Sequence, residues 1–196
     1  SLFGNQPDVR KTATSNFKHH GERIYLVGAT HAELGASEVA FHLKERGDVT
    51  GIGGQVPMLQ HPTEQLEVYR KLSASIQEGL IRTAHDCSEG GLAIALAEMC
   101  IGGRCGAVID IDGIGEGDAF TRLWSESLGR IVVSVEAEHE LAFVEMMEGA
   151  DLHLIGMVTE SSELIIEDGY DQIIQTDVDE LTSSWKEALD LTGAIE

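Results

Sequence analysis

Thr83-Ala84-His85-Asp86-Cys87-Ser88-Glu89-Gly90-Gly91-Leu92-Ala93-Ile94-Ala95-Leu96-Ala97-Glu98-Met99-Cys100 is the stretch on which the reading of this chain turns. A short strand, Ile81 to His85, runs into an acidic, Gly-rich turn, and a helix follows at once. The helix is apolar nearly all round, which predicts burial, and Gly102-Gly103 ends it. Such a turn suits anion capture, because N–H groups at a helix start point outward and the helix dipole favours negative charge there. Gly90 and Gly91 allow a ligand to approach the backbone closely. Ser88 either caps the helix or donates to a phosphate. The turn has neither the Gly-Lys-Ser/Thr of a P-loop nor the Gly-x-Gly-x-x-Gly of a dinucleotide fold. A nucleophile at His85 or Cys87 lacks an orienting partner, and Cys100 and Cys105 lack Cys-x-x-Cys spacing. Cys87 and Cys100 therefore read as small core residues.

Working outward, the same alternation continues in both directions. Ile24-Tyr25-Leu26-Val27, closed by Gly28, is a buried-strand signature. Ser37 caps a helix with Val39, Ala40 and Leu43 on one face, stopped by Gly47. Thr50 to Pro62 reads as a loop. Thr63 then caps an amphipathic helix with the stripe Leu66, Tyr69, Leu72 and Ile76, ended by Gly79. Ala107 to Ile111 is a strand, Gly117 to Trp124 a short helix, and Ile131 to Val135 a strand. Ala137 to Met147 is a helix with Leu141, Val144 and Met147 aligned. Leu152 to Val158 and Leu164 to Glu167 are strands, with a further one at Gln172 to Gln175. Asp177 and Glu180, at capping-box spacing, open a last helix with Leu181, Trp185, Ala188 and Leu189 on one side. The order predicts an α+β fold, α/β-like in its alternation, with a mixed β-sheet covered by helices. Residues 1–22 read as a linker or tail of an upstream domain, and 23–196 as one domain. The start at Ser1, without Met, reads as a piece of a longer chain.

The formal net charge is -21 over 196 residues, with 42% hydrophobic residues. That is enough apolar content for a core, so the charge does not imply disorder. The acidic excess argues against nucleic acid and against an anionic membrane face as partners. No apolar run is long enough to span a bilayer. Three cysteines, Cys87, Cys100 and Cys105, make no disulfide framework and suit a reducing, cytoplasmic setting.

Two further Gly/Ser turns sit at strand–helix junctions. Glu33-Leu34-Gly35-Ala36-Ser37-Glu38 runs into a helix, with Ser37 as a plain cap as its simplest reading. Ser125-Glu126-Ser127-Leu128-Gly129-Arg130 gathers carboxylate, hydroxyl and guanidinium before a strand. Arg130 either clamps a carboxylate or phosphate, or pairs with a neighbouring Glu on a solvated face. His31, His42, His61, His139 and His153 show no ligand-like spacing.

These turns, in this order, resemble the phosphoribosylformylglycinamidine synthase family, within the aminoimidazole ribonucleotide synthetase superfamily. Thr83 to Met99 is similar to that family's hallmark segment. Glu33 to Glu38 is similar to its Glu-Leu-Gly-Gly-Ser-Glu turn, and Trp124 to Arg130 to its Phe-Ser-Glu-Ser-x-Gly-Arg turn. The sequence departs from the pattern at Ala36 for Gly, at Cys87 for an aliphatic residue, at Glu89 for Asp, and at Val39-Ala40-Phe41 for Tyr-Leu-Arg. The resemblance implies the C-terminal domain of an ATP-dependent ligase of purine biosynthesis. That enzyme turns formylglycinamide ribonucleotide and glutamine-derived ammonia into formylglycinamidine ribonucleotide. It implies ATP and Mg2+ for the intact enzyme, bound mainly by upstream domains. A glutaminase subunit and a small accessory subunit are the implied partners. Substrate- or nucleotide-binding roles fall on Asp86, Ser88, Gly90, Gly91, Glu33, Gly35, Ser37, Glu126, Ser127 and Arg130. Asp86 is the one candidate metal contact within the chain, and no catalytic residue is assigned. The alternatives are another superfamily member, such as a selenophosphate synthetase or thiamine phosphate kinase, or a non-catalytic scaffold module.

Overall fold

The computed structural model describes residue 6, residues 8–47 and residues 54–187. In chain order the elements are β1 (Arg23–Val27), α1 (Glu38–Glu45), α2 (Pro62–Glu78), β2 (Thr83–Asp86), α3 (Gly91–Gly103) and β3 (Gly106–Asp110). Then come α4 (Ala119–Trp124), β4 (Ile131–Val135), α5 (Glu140–Met146), β5 (Leu152–Thr159), β6 (Glu163–Asp168), β7 (Asp171–Asp177) and α6 (Val178–Glu187). The strands form one sheet in the order β2-β4-β1-β5-β3-β6-β7. Every neighbouring pair is antiparallel except β3 and β6, so the sheet is mixed, as the sequence predicts.

Period-two alternation in the central strands builds two cores. Ile24, Leu26 and Val132 face one core with α3, Leu123 of α4 and Val178 of α6. Tyr25, Val27, Val133 and Val135 face the other, with Leu72 of α2 and Phe143 and Met147 by α5. The α3 side is the larger. There Leu92, Leu96, Met99 and Cys100 have no exposed surface, which explains a helix apolar nearly all round. Cys87, Cys100 and Cys105 are all buried free thiols. Residues 14–17, within the expected tail, join the domain: Phe17 packs in the larger core and Thr14 bridges to Thr83.

Several local expectations shift. Helix α2 starts at Pro62, with His61 as N-cap and no side-chain cap, so Thr63 lies inside the first turn. Proline at the first helical position presets φ, and its missing N–H is one that the helix end leaves unpaired anyway. The buried face of α2 is Leu72 and Ser75, with Val68 and Ile76 beside them, while Leu66 and Tyr69 are exposed. In α5 the buried residue is Phe143, followed by Met147, while Leu141 and Val144 face out. Helix α1 buries none of its own residues fully. Thr50 to Gly53, Ala188 and Leu189 lie outside the described residues. At the start of α6, Asp177 accepts a hydrogen bond from the Asp179 N–H and another from Ser162 Oγ.

Candidate functional site

The three turns meet at one end of the β1–β4 ladder. Gly28, just past β1, packs on the Gly129 carbonyl so closely that a Cβ would lie 2.7 Å from it. Asp86 and Ile131 pair across β2 and β4, which sets the Asp86 turn beside the Arg130 turn. The Glu33 turn joins through hydroxyls. The His31 N–H donates to Ser127 Oγ at 3.0 Å, and the Glu33 N–H donates to Ser125 Oγ at 3.3 Å.

Glu126 links all three. One carboxylate oxygen accepts from the Gly90 N–H at 2.8 Å and from the Glu38 N–H at 2.9 Å. Those amides sit at the start of α3 and in the first turn of α1. Both helix dipoles favour negative charge there, and the protein supplies it from its own side chain. The anion slot that the Gly-rich turn promises thus holds a carboxylate from a turn 36 residues away.

The glycines have packing reasons. Gly90 is the left-handed N-cap of α3, with no capping side chain. Gly91 has φ 64°, and a Cβ on it would lie 2.4 Å from the Ser125 carbonyl oxygen. A Cβ on Gly35 would lie 2.6 Å from the Gly54 carbonyl oxygen. Ala36, where the resembling family has Gly, holds a left-handed φ of 60°. Ser37 caps α1 by accepting from the Ala40 N–H. Ser88 does not cap α3: its hydroxyl donates to the Asp86 carboxylate. That hydrogen bond, more than the nearby His85, holds the Asp86 carboxyl below the usual range. His85 Nε2 in turn meets Glu98 at 2.9 Å.

Arg130 is neither a solvated partner of Glu nor an open clamp. It is 1% exposed. Its guanidinium donates to Thr30 Oγ1 at 3.0 Å, to the Arg122 carbonyl at 3.3 Å and to the Ser125 carbonyl. It thereby ties the segment after β1 to the turn before β4. Burial pushes its pKa down, opposed by neighbouring Cys87, Glu33 and Glu126. Burial pushes the Cys87 thiol up to about 11, which keeps it protonated and inert at neutral pH. Glu33, 2% exposed, accepts from the Met58 N–H at 3.3 Å. Ser125, part of the third turn, and Thr30, which carries no signal in the sequence beyond its polarity, both hold the site together.

The open surface of the site is a cleft of about 470 Å³ lined by Tyr69, Asp86, Ser88, Glu126, Gly129 and Arg130. Leu128 separates it from a second cavity of about 410 Å³, reached by His31, Glu33, His61 and Lys71. Asp86 and Ser88 are exposed at the cleft, whereas Ser127 and Arg130 are buried behind it. The exposed groups are a carboxylate and a hydroxyl, which suit hydrogen bonding to a ligand's hydroxyls or amines.

Solved structures share this fold. The chain matches the Thermotoga maritima protein PurL complexed with FGAR at a TM-score of 0.71 and 19% identity, over 87% of this chain and 29% of that one. It matches Thermotoga maritima phosphoribosylformylglycinamidine synthase II at 0.68 and 20%, over 86% and 27%. The hydrogenase maturation protein HypE in complex with ATP matches at 0.57 and 13%, over 85% and 52%. The chain thus spans between about a quarter and a half of the length of these structures. The family model for AIR synthase related proteins, C-terminal domain, matches residues 19–169. On that match, and on the mixed sheet with its helices, the chain belongs to the AIR synthase related protein family, as its C-terminal domain.

Proposed function

We propose that the chain is the C-terminal domain of an ATP-dependent ligase that converts formylglycinamide ribonucleotide, ATP and glutamine-derived ammonia to formylglycinamidine ribonucleotide, ADP, phosphate and glutamate. The observation that carries the reading is the convergence of the three turns on Glu126, at the mouth of one cleft. The fold shared with PurL complexed with FGAR and with ATP supports it. In this reading Asp86 and Ser88 contact the ribonucleotide, and Gly90, Gly91, Glu33, Gly35 and Ser37 fix the turns behind the cleft. Glu126, Ser127 and Arg130 brace it.

ATP belongs to upstream domains of the intact protein. Mg2+ is proposed for the intact protein with ATP, as the resemblance implies, with Asp86 as the candidate contact in this chain. A glutaminase subunit and a small accessory subunit are the proposed partners. A Thermotoga maritima structure, PurLQS, supports that assignment by its fold. Among the described residues, no helix is long and apolar enough to cross a membrane. A cytoplasmic setting is proposed with the three free thiols.

The test is an ATP- and ammonia-dependent product assay on the intact protein. Asp86→Ala is expected to lower kcat/KM for the ribonucleotide at least tenfold with folding unchanged, and this chain alone is expected to give no turnover. Unaltered kcat/KM in Asp86→Ala and Ser88→Ala together would remove the cleft from the reaction and favour a scaffold.

A further inference from the structure

The opposite end of the β1–β4 ladder holds a second cluster. Two tight turns face each other there. In His19-His20-Gly21-Glu22 the Glu22 N–H donates to the His19 carbonyl, and in Glu136-Ala137-Glu138-His139 the His139 N–H donates to the Glu136 carbonyl. Each turn sets a histidine and a glutamate three residues apart. The pairing of Arg23 with Val135 brings the turns together, since Glu22 precedes one strand and Glu136 follows the other.

The donor atoms of His19, Glu22 and Glu136 lie within 4.8 Å of one another, and so do those of Glu136, Glu138 and His139. Donors around one Zn2+ at 2.0–2.1 Å sit about 3.5 Å apart, so small rotations close either set. A cleft of about 670 Å³ opens onto His19, Glu22, Glu136 and Glu138.

A second observation points to a cation. Glu22 is 5% exposed, yet among the described residues its carboxylate makes no ion pair with a lysine or arginine. Ser134 Oγ donates to it. Lys18, the basic side chain close enough to feel Glu22, is held by Thr14 and Asn16 instead. A buried carboxylate is costly without a counter-charge, and buried charges are as a rule paired or bound to metals.

We propose that His19, Glu22 and Glu136, completed by Glu138 or His139, bind one divalent transition-metal ion. Mixed imidazole and carboxylate donors fit Zn2+ and its neighbours better than Mg2+ or Ca2+, which take oxygen. The ion pins residues 19–22 to the β4–α5 junction. It lies at the other end of β1 from the Asp86 cleft and takes no part in the proposed reaction. The sequence does not reveal the full site, because its two halves are more than a hundred residues apart and only the fold brings them together.

The test is calorimetric titration of the metal-free chain with Zn2+, with Co2+ absorption as a spectroscopic check. One saturable equivalent is expected, with a visible Co2+ band and a rise in Tm on Zn2+ addition. His19→Ala, exposed and therefore safe for folding, is expected to weaken Zn2+ at least tenfold, and Glu22→Gln to abolish the Tm rise. His153→Ala, a control beside Asp151, is expected to bind as the parent does. Absence of saturable binding overturns the proposal. So does a His19→Ala variant that binds like the parent, or equal losses in His19→Ala and His153→Ala.

Discussion

The two ends of the β1–β4 ladder each bury a charge with no opposite charge in contact, and they settle it differently. At the turn end, Arg130 is surrounded by carbonyls and a hydroxyl, and the nearby Glu126 is spent on two helix starts. The Arg130 guanidinium meets three acceptors within the fold, while among the described residues its Nε, Arg122 Nε and His85 Nδ1 have no partner. At the far end, Glu22 has a serine hydroxyl and two histidine-bearing turns around it, but among the described residues no lysine or arginine pairs with it. A buried guanidinium can be neutralised piecemeal by backbone carbonyls, which are always at hand. A buried carboxylate needs hydrogen-bond donors or a cation, and among the described residues the donor to Glu22 is the Ser134 hydroxyl. One end is therefore electrically closed and the other open.

The comparison can be broken most easily at Arg130. Arg130→Met would strip the donor from three acceptors in a buried place, and urea unfolding should show a loss of about 3 kcal/mol or more. A loss near zero would mean that the guanidinium does not hold the turn end. Gly91→Ala forces a methyl against the Ser125 and Leu123 carbonyls at a left-handed φ. The expected cost is about 2–4 kcal/mol, read the same way.

Smaller changes sharpen the comparison. Ala36→Gly relieves a left-handed alanine by more than the added freedom of the unfolded chain costs, so urea unfolding should show a gain of about 0.5–1 kcal/mol. Ser88→Ala should let the Asp86 pKa rise toward its ordinary value near 3.9, as followed by carboxyl NMR. The sign for stability follows from the lowered folded-state value. The Ser88–Asp86 contact stabilises the fold above the unfolded-state pKa, and this is lost as pH falls through the folded one. Because Asp86 is largely exposed, the effect on unfolding should be slight. An Asp86 pKa unmoved by Ser88→Ala would assign the lowering to His85 instead.

Much of the fold was legible because it rests on local signals. The order of strands and helices follows from periodicity and glycine stops, including the strand at Gln172 to Gln175, which lies inside β7. What the sequence misjudged depends on distant partners. Leu141 and Val144 match Met147 in helical spacing, but the position of Tyr25 on the sheet selects Phe143, whose ring it meets at 5.5 Å. The three turns were recognisable as related through their Gly and Ser residues. Their occupant was not, since Glu126 reaches Glu38 across 88 residues of sequence. Arg130 looks like a surface clamp in one dimension, and only the packing of Thr30 and Ser125 over it makes it a buried staple.

One carboxylate oxygen, Glu126 Oε1, closes both helix starts. The direct measurement compares the backbone amides of Gly90 and Glu38 in the parent and in Glu126→Ala by nitrogen–proton NMR and hydrogen exchange at one fixed pH. Both amides should shift and lose protection together in Glu126→Ala. Amides of Gly90 and Glu38 that keep their shifts and protection in Glu126→Ala would show that the oxygen does not join them.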